Sequence, residues 1–318
     1  MNDNEYFPLG LGIIIETNLG AFCRWGRKME EKYHLKDMSI GGGHTDLAME
    51  RRRIDTECSG IQYRREYGRI GYWERIRVTN SEGEESIGRP VGIYDSLCVG
   101  RMDRLDEDEI EDCIEEVART LCRICDEEDI CPERILVVGL GNRNLTPDSL
   151  GTESTERVKP TMQIKKEDEM LFYSLECSEI SVLRCDVLAK SGIDAQEHVK
   201  AVCTKVSPDM VIVIDSLASR SADRLGTTLQ ISSTGICPGS GIGASRGRID
   251  QSTLGVPVIA IGMPTVINSR MLVRAKDEVR APRPDENLMV CPVAINEIVV
   301  GASRIIAGGI NQAFGLDC

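Results

Sequence analysis

Three continuous apolar runs constrain what this chain can fold into more than any other feature. They are ILVVGLGN at 135–142, MVIVID at 210–215 and VPVIAIGMPT at 256–265. Runs without polar alternation are typical of parallel strands that are buried on both faces. Helical periodicity lies between or near them, at 194–206 and 297–314. The sequence therefore predicts an α/β fold, a three-layer sandwich with a mostly parallel central sheet and right-handed crossovers.

The N-terminal part follows a different pattern. Residues 1–43 show no sustained period of 2 or 3.6, and we interpret them as a leader or prosegment that precedes a single α/β domain over 44–318. Between about 44 and 105, short stretches rich in β-formers predict a β-rich excursion. Within it, the Asn-Ser-Glu-Gly sequence at 80–83 is predicted to form a hairpin-like turn.

Charge and cysteine content exclude several classes of function. The formal net charge is −13, from 38 basic and 51 acidic residues, which disfavours direct binding to the phosphates of nucleic acids. The 13 cysteines are an odd number, and the first residues lack a basic signal-peptide region, so we expect a cytoplasmic protein with free, mostly buried thiols. The apolar run at 9–15 is too short to span a bilayer, and no membrane association is predicted.

Three familiar motifs have simpler interpretations. The GLG at 139–141 lacks the third glycine of a dinucleotide site, because position 144 is asparagine, and we interpret it as a tight turn at a strand end. The GASRG at 243–247 resembles a nucleophile elbow, but no histidine follows it. Cys122 and Cys125 have metal-ligand spacing inside an amphipathic helical pattern at 106–128, which favours core thiols. No metal or other cofactor is predicted.

Two aspartates stand apart from the surface charge. Asp215 ends an apolar strand, where a carboxylate must be paired, hydrogen-bonded or functional. Asp148 lies in the loop after the strand at 135–142, so both side chains should reach the crevice at the carboxyl ends of the sheet. One carboxyl of such a pair can act as an acid while the other acts as a base on water. The alternative for Asp148 is a helix N-cap. The loop residues predicted to hold substrate or an oxyanion are Gly239, Ser240 and Gly241.

Several segments, in the same order, resemble the germination proteases of spore-forming bacteria. They are HTDLAME (44–50), VVGLGN followed by LTPDSLG (145–151), IDSLASRS (214–221), TLQISSTGICPGSGIG (228–243) and LGVPVIAIGMPTV (254–266). The resemblance implies a cytoplasmic endopeptidase of the forespore and spore core, made as a self-cleaving zymogen, that degrades small acid-soluble spore proteins at germination. It implies catalysis by the residues matching Asp148 and Asp215, a homotetramer, and a fold like that of the hydrogenase maturation peptidases.

The chain also departs from the family pattern. Cys237 stands where the family usually has histidine and Asn268 where it usually has aspartate, so both are candidate auxiliary residues. The loop before Asp194 also differs, at Cys185-Asp186 and Ala189-Lys190. Two alternatives therefore stay open. One is a weak or inactive paralogue that binds spore proteins or hetero-oligomerises with an active copy. The other is a metal-dependent processing peptidase like those of hydrogenase maturation.

A flexible glycine run precedes the first family motif. Such a segment is accessible to proteolysis, and we expect maturation cleavage in this region. An unprocessed flexible leader would fit the same pattern. The residues of the expected cleavage region are Met38, Ser39, Ile40, Gly41, Gly42 and Gly43.

Overall fold

The strands form one mixed sheet. The computed structural model describes residues 11–14, 45–50, 59–242, 246–269, 271 and 288–316. In this part of the chain the strands are β1 (Leu11–Ile14), β2 (Ile61–Tyr67), β3 (Tyr72–Val78), β4 (Gly92–Cys98), β5 (Arg134–Leu140), β6 (Glu179–Cys185), β7 (Met210–Ser219), β8 (Thr228–Ser232), β9 (Val258–Asn268) and β10 (Met289–Pro292). Their order is β2-β3-β4-β8-β9-β7-β5-β6, with β10 paired to β9 and β1 to β10.

The centre of this sheet is parallel. Strands β6, β5, β7 and β9 lie side by side and run in the same direction. Three of them are the apolar runs of the sequence, and nearly every residue of β5 and β7 is buried. The predicted α/β class with a mostly parallel central sheet is therefore confirmed.

The β-rich N-terminal part continues the same sheet. Strands β2, β3 and β4 pair antiparallel, and β8 joins β4 to β9 by two further antiparallel pairings. The short β8 thus connects the antiparallel part to the parallel centre.

Helices cover both faces of the sheet. Their bounds are α1 (Ser81–Ile87), α2 (Glu107–Glu127), α3 (Leu150–Thr155), α4 (Met162–Glu167), α5 (Glu169–Ser174), α6 (Leu188–Ser191), α7 (Ala195–Val206), α8 (Gln251–Leu254) and α9 (Ile295–Phe314). Helices α2, α3 and α9 share one apolar core with the sheet. On the opposite face α7 packs against the alternate residues of β5 and β7. The helices expected at 106–128, 194–206 and 297–314 are thereby confirmed.

Helix α2 shows how the local sequence sets an element. Asp106 accepts a hydrogen bond from the Glu109 backbone N–H, and the Glu109 side chain accepts one from Asp106 in return, which forms a capping box. Along the helix Cys125 is buried, as expected for a core thiol, but Cys122 is exposed. The expectation for Cys122 was wrong because this residue follows the buried Leu121 by one position, about 100° around the helix.

The predicted turn at 80–83 is wrong. Asn80 is the N-cap of α1, and its Oδ1 accepts a hydrogen bond from the Gly83 N–H at 3.0 Å. Asparagine favours both turns and helix N-caps, so the local sequence alone does not distinguish them. The helix is fixed here by packing, because a Cβ on Gly83 would lie 2.2 Å from the Gly60 carbonyl oxygen.

Candidate active site

Asp215 lies inside β7, in register with Gly262 of β9. Its side chain is 7% exposed and accepts a hydrogen bond from the Ser216 N–H at 2.8 Å. Burial raises the pKa of Asp215 well above its ordinary value, and the nearby charge of Asp148 raises it further. A protonated carboxylic acid is therefore favoured at this position.

Asp148 is the last residue of the short 3-10 turn (Thr146–Asp148) that follows β5. Its Oδ2 accepts a hydrogen bond from the Asn142 N–H at 3.0 Å. Burial raises its pKa to about 6, and the hydrogen bond from Asn142 acts in the opposite direction. The N-cap alternative is wrong, because α3 begins at Leu150 with Ser149 as its cap residue and no side-chain cap bond.

Close backbone packing brings the two aspartates to one edge of the sheet. A Cβ on Gly151, at the start of α3, would lie 2.3 Å from the Ile214 carbonyl oxygen and 2.4 Å from the Leu140 carbonyl oxygen. The glycine therefore allows the turn that carries Asp148 to approach the strand that carries Asp215. The two carboxyls are near enough for the charge of Asp148 to raise the pKa of Asp215.

Other charges also act on this pair. The charge of Arg246 lowers the pKa of both aspartates, and that of Lys190 lowers the pKa of Asp148. Asp186 raises the pKa of Asp148, and a third acid, Asp46, raises that of Asp215. Positive and negative side chains from several segments of the chain thus act on the pKa values of the pair.

Asp46 is a site residue to which sequence reasoning assigned no role. Its Oδ2 accepts a hydrogen bond from the Ala218 N–H at 2.9 Å, and its Oδ1 accepts one from the Ser240 hydroxyl at 2.6 Å. It therefore ties the strand of Asp215 to the loop of Ser240. The signal for Asp46 was present in the HTDLAME motif, but its partners lie 172 and 194 residues away.

Glu50 makes a similar attachment four residues later. Its carboxylate accepts hydrogen bonds from the Arg220 N–H at 2.7 Å and the Ser221 N–H at 3.0 Å. The Ser219 hydroxyl donates to it as well. Residues 45–50 are therefore held along the carboxyl-terminal end of β7.

A polar cleft lies beside Asp46, on the same side of the sheet. Ser240 and Cys237 line it, and the Cys237 thiol donates a hydrogen bond to the Arg246 carbonyl oxygen at 3.4 Å. Gly241 contacts Asp46 so closely that a Cβ there would lie 2.0 Å from Oδ2. The other residues lining this cleft are Gly88, Arg89, Pro90, Tyr94, Leu217, Gln230, Ser232, Thr234, Gly235, Ile236, Arg248, Ala260, Ile261 and Gly262.

The structure separates the two candidate auxiliary residues. Cys237 lines the cleft, whereas Asn268 lies at the end of β9, where it pairs with Met289 of β10. Asn268 is six residues beyond Gly262, the register partner of Asp215, or about 20 Å along the strand. The expected cleavage region, 38–43, lies outside the described residues.

Two further features are absent from the described residues. No group of three or more His, Cys, Asp or Glu side chains there is arranged to hold a metal ion. Within the same ranges, no helix has the length and apolar character needed to cross a membrane.

The titration of Asp148 makes the stability of the protein depend on pH. Its pKa is 3.8 ordinarily and about 6 in the folded chain, so between these values the folded state binds more protons and stability falls as pH rises. The difference corresponds to about 3 kcal/mol. We expect the stability of Asp148→Asn relative to the parent to increase by about that much as the pH rises from 4 to 7.5. Urea unfolding of both chains at each pH measures the difference. A difference between the two chains that stays constant with pH would contradict the assignment.

Comparisons with known proteins agree on one family. The family described as germination protease matches residues 45–279. A germination protease of Caldanaerobacter subterraneus subsp. tengcongensis is 40% identical over 232 residues, covering 72% of this chain and 70% of that protein. One from Clostridium tetani is 33% identical over 313 residues, covering 85% of this chain and 94% of that protein.

Among solved structures, a [NiFe] hydrogenase maturation protease, HycI, from Thermococcus kodakarensis KOD1 is similar to 58% of this chain and 99% of its own. The TM-score is 0.31 and the identity 16%, which is too little likeness to support a conclusion about this chain.

The fold and the matched family together define the class of protein. It is a peptidase built on an α/β sandwich. The chain belongs to the germination protease family.

Proposed function

We propose that this chain is an endopeptidase that initiates the degradation of small acid-soluble spore proteins during germination, and that Asp148 and Asp215 activate the attacking water. The observation that carries the proposal is a pair of buried carboxyls, one inside β7 and the other in the turn that follows the adjacent parallel strand β5. Both have raised pKa values, and Asp46, whose charge acts on Asp215, lines a polar cleft. Perturbed carboxyls beside a cleft are typical of acid–base catalysis.

We assign the two catalytic roles from the different environments of the two aspartates. With a pKa of about 6, Asp148 is mostly ionised at neutral pH, and we assign the proton of the pair to the more deeply buried Asp215, whose pKa is raised well above its ordinary value by burial. Asp148 accepts a proton from water as the water oxygen bonds to the scissile carbonyl carbon, and Asp215 donates its proton to the carbonyl oxygen. As the C–N bond breaks, Asp148 gives its proton to the leaving nitrogen and Asp215 recovers its own. Proton transfer of this kind contributes about 10²–10⁴-fold to a rate.

The cleft supplies the substrate site in this proposal. The loop of Gly239, Ser240 and Gly241 follows β8 and reaches Asp46, and we assign it the contact with a peptide or an oxyanion. The Ser240 N–H already donates to the Cys237 carbonyl oxygen, so this contact would fall to the other groups of the loop. Arg89 and Arg248 also line the cleft and add positive charge to it. Leu217 of β7 lines the cleft, so a peptide lying there would contact the strand that carries Asp215, while Asp148 and Asp215 themselves lie outside its lining.

The zymogen proposal rests on how the chain enters the fold. Residues 45–50 are attached to β7 through Asp46 and Glu50, next to the aspartate pair. The chain just before Thr45 would therefore adjoin the candidate active site, while Leu11–Ile14 of the leader pairs with β10 in the sheet, and we place maturation cleavage at 38–43. We also propose a homotetramer of the spore cytoplasm, with no direct contact to nucleic acid because the chain carries a net charge of −13.

One incubation tests the function. The purified full-length chain is mixed with a small acid-soluble spore protein, with and without a chelator, and the products are sequenced together with the N-terminus of the chain. We expect discrete cleavage of the substrate, unaffected by the chelator, after loss of the leader. Binding without cleavage would favour the inactive paralogue, for which the presence of Cys237 in the cleft is the specific observation. Activity lost with the chelator and restored by a divalent ion would favour the metal-dependent alternative.

A further inference from the structure

A lysine in the short helix α6, which follows β6, lies close to the aspartate pair. Lys190, in α6, donates a hydrogen bond from Nζ to Asn142 Oδ1 at 2.6 Å. The same ammonium group lies 3.4 Å from Asp186 Oδ2. Both contacts are made at the carboxyl ends of β5 and β6, where these parallel strands are neighbours.

Asn142 connects this lysine to Asp148. Its backbone N–H donates to Asp148 Oδ2 at 3.0 Å, and its side-chain Oδ1 also accepts a hydrogen bond from the Asn144 N–H at 3.0 Å. The orientation of Asn142 therefore determines whether Asp148 receives a backbone donor. Lys190 holds that asparagine from the other side.

We propose that Lys190 is a positioning residue for Asp148, acting through Asn142 and through its own positive charge. The proposal rests on the proposed function, since it concerns the carboxyl that we assign as the base. It also gives a physical role to one of the positions where this chain departs from its family, in the loop before Asp194.

The charges around Asp148 determine how removing Lys190 would change the pKa of Asp148. Arg246 and Lys190 favour its ionised form, and Asp186 opposes it. Asp215, on β7, is coupled to Asp148 by like charge. Lys190 is also the ion-pair partner of Asp186, so removing the ammonium leaves the Asp186 carboxylate unbalanced near Asp148. Both effects raise the pKa of Asp148 and keep it protonated to higher pH.

The test compares Lys190→Met, Lys190→Arg and Lys200→Met in the full-length chain. Lys200→Met is the matched control, because Lys200 is exposed on α7 and loses the same charge. The Asp148 carboxyl is titrated by carbon NMR, with its signal assigned by its loss in Asp148→Asn. We expect Lys190→Met to raise the midpoint by about 0.3–0.5 pH unit, Lys190→Arg to keep the midpoint close to that of the parent, and Lys200→Met to leave it unchanged.

A kinetic measurement gives the second readout. In Lys190→Met the acidic limb of the kcat profile should move to higher pH by the same amount, with KM for the spore protein unchanged. Equal Asp148 midpoints in Lys190→Met and Lys200→Met would overturn the proposal. The NMR titration needs no activity, so a moved midpoint in a chain that cleaves nothing would reject the proposed function while supporting the role of Lys190.

Discussion

We expect Asp215→Asn to lower kcat on a small acid-soluble spore protein by about 10³-fold or more. The substitution keeps the shape of the side chain and can keep the hydrogen bond from Ser216, but it removes the proton that Asp215 donates to the carbonyl oxygen. It also removes a buried acid, so the folded state should not be weakened. A loss of activity without a loss of stability identifies a chemical role, because a buried residue needed only for packing would affect both.

The matched control for this prediction is Asp223→Asn. Asp223 is exposed and lies in a 3-10 turn shortly after β7, so the variant loses one aspartate close to the same strand. Single-turnover cleavage and thermal unfolding are measured on both variants and on the parent at pH 7. If Asp215→Asn cleaves at the rate of Asp223→Asn, the assignment of Asp215 as an acid is wrong, whatever its pKa.

Asp215 could be predicted from the sequence but Asp46 could not, because the signal for Asp215 is local whereas the partners of Asp46 are distant along the chain. Asp215 interrupts an apolar strand, and a carboxylate in such a run needs a reason that is visible locally. Asp148 follows from the rule that the ends of parallel strands meet at one edge. Asp46 binds the backbone of Ala218, and Arg246 acts on both aspartates through space. No spacing along the chain indicates either of these contacts.

The same limit applies to the fold. The parallel centre follows from runs that are apolar throughout, so three of its four strands are predictable. The position of β8 in the sheet cannot be predicted in this way. It is a five-residue strand in which Thr228, Gln230 and Ser232 alternate with apolar residues, and this pattern does not indicate which strands lie next to it. Its antiparallel partners, β4 and β9, are brought together only by the complete sheet. The prediction of a turn at Asn80 was wrong for a related reason. Packing against Gly60 decides whether this segment forms a helix or a turn.

The junction between β5, α3 and β7 gives the second large expected effect. We expect Gly151→Ala to destabilise the fold by about 4 kcal/mol, above the usual cost of overpacking of about 1–3 kcal/mol. The added methyl group would lie 2.3 Å from the Ile214 carbonyl oxygen and 2.4 Å from that of Leu140. Both are backbone atoms of central strands, which cannot rotate away as a side chain can.

The control for this variant is Gly100→Ala, where the nearest atom to the new Cβ would be Leu105 Cδ2 at 3.9 Å. Urea unfolding of the two variants at pH 7 measures the difference, and the soluble yield at low temperature gives the same ranking if Gly151→Ala does not accumulate. Cleavage should fall in Gly151→Ala along with stability, because Ile214 directly precedes Asp215 and Asp148 lies three residues before the substitution. Equal stability of the two variants would mean that α3 does not approach the strands this closely, and the basis for placing Asp148 beside Asp215 would be lost.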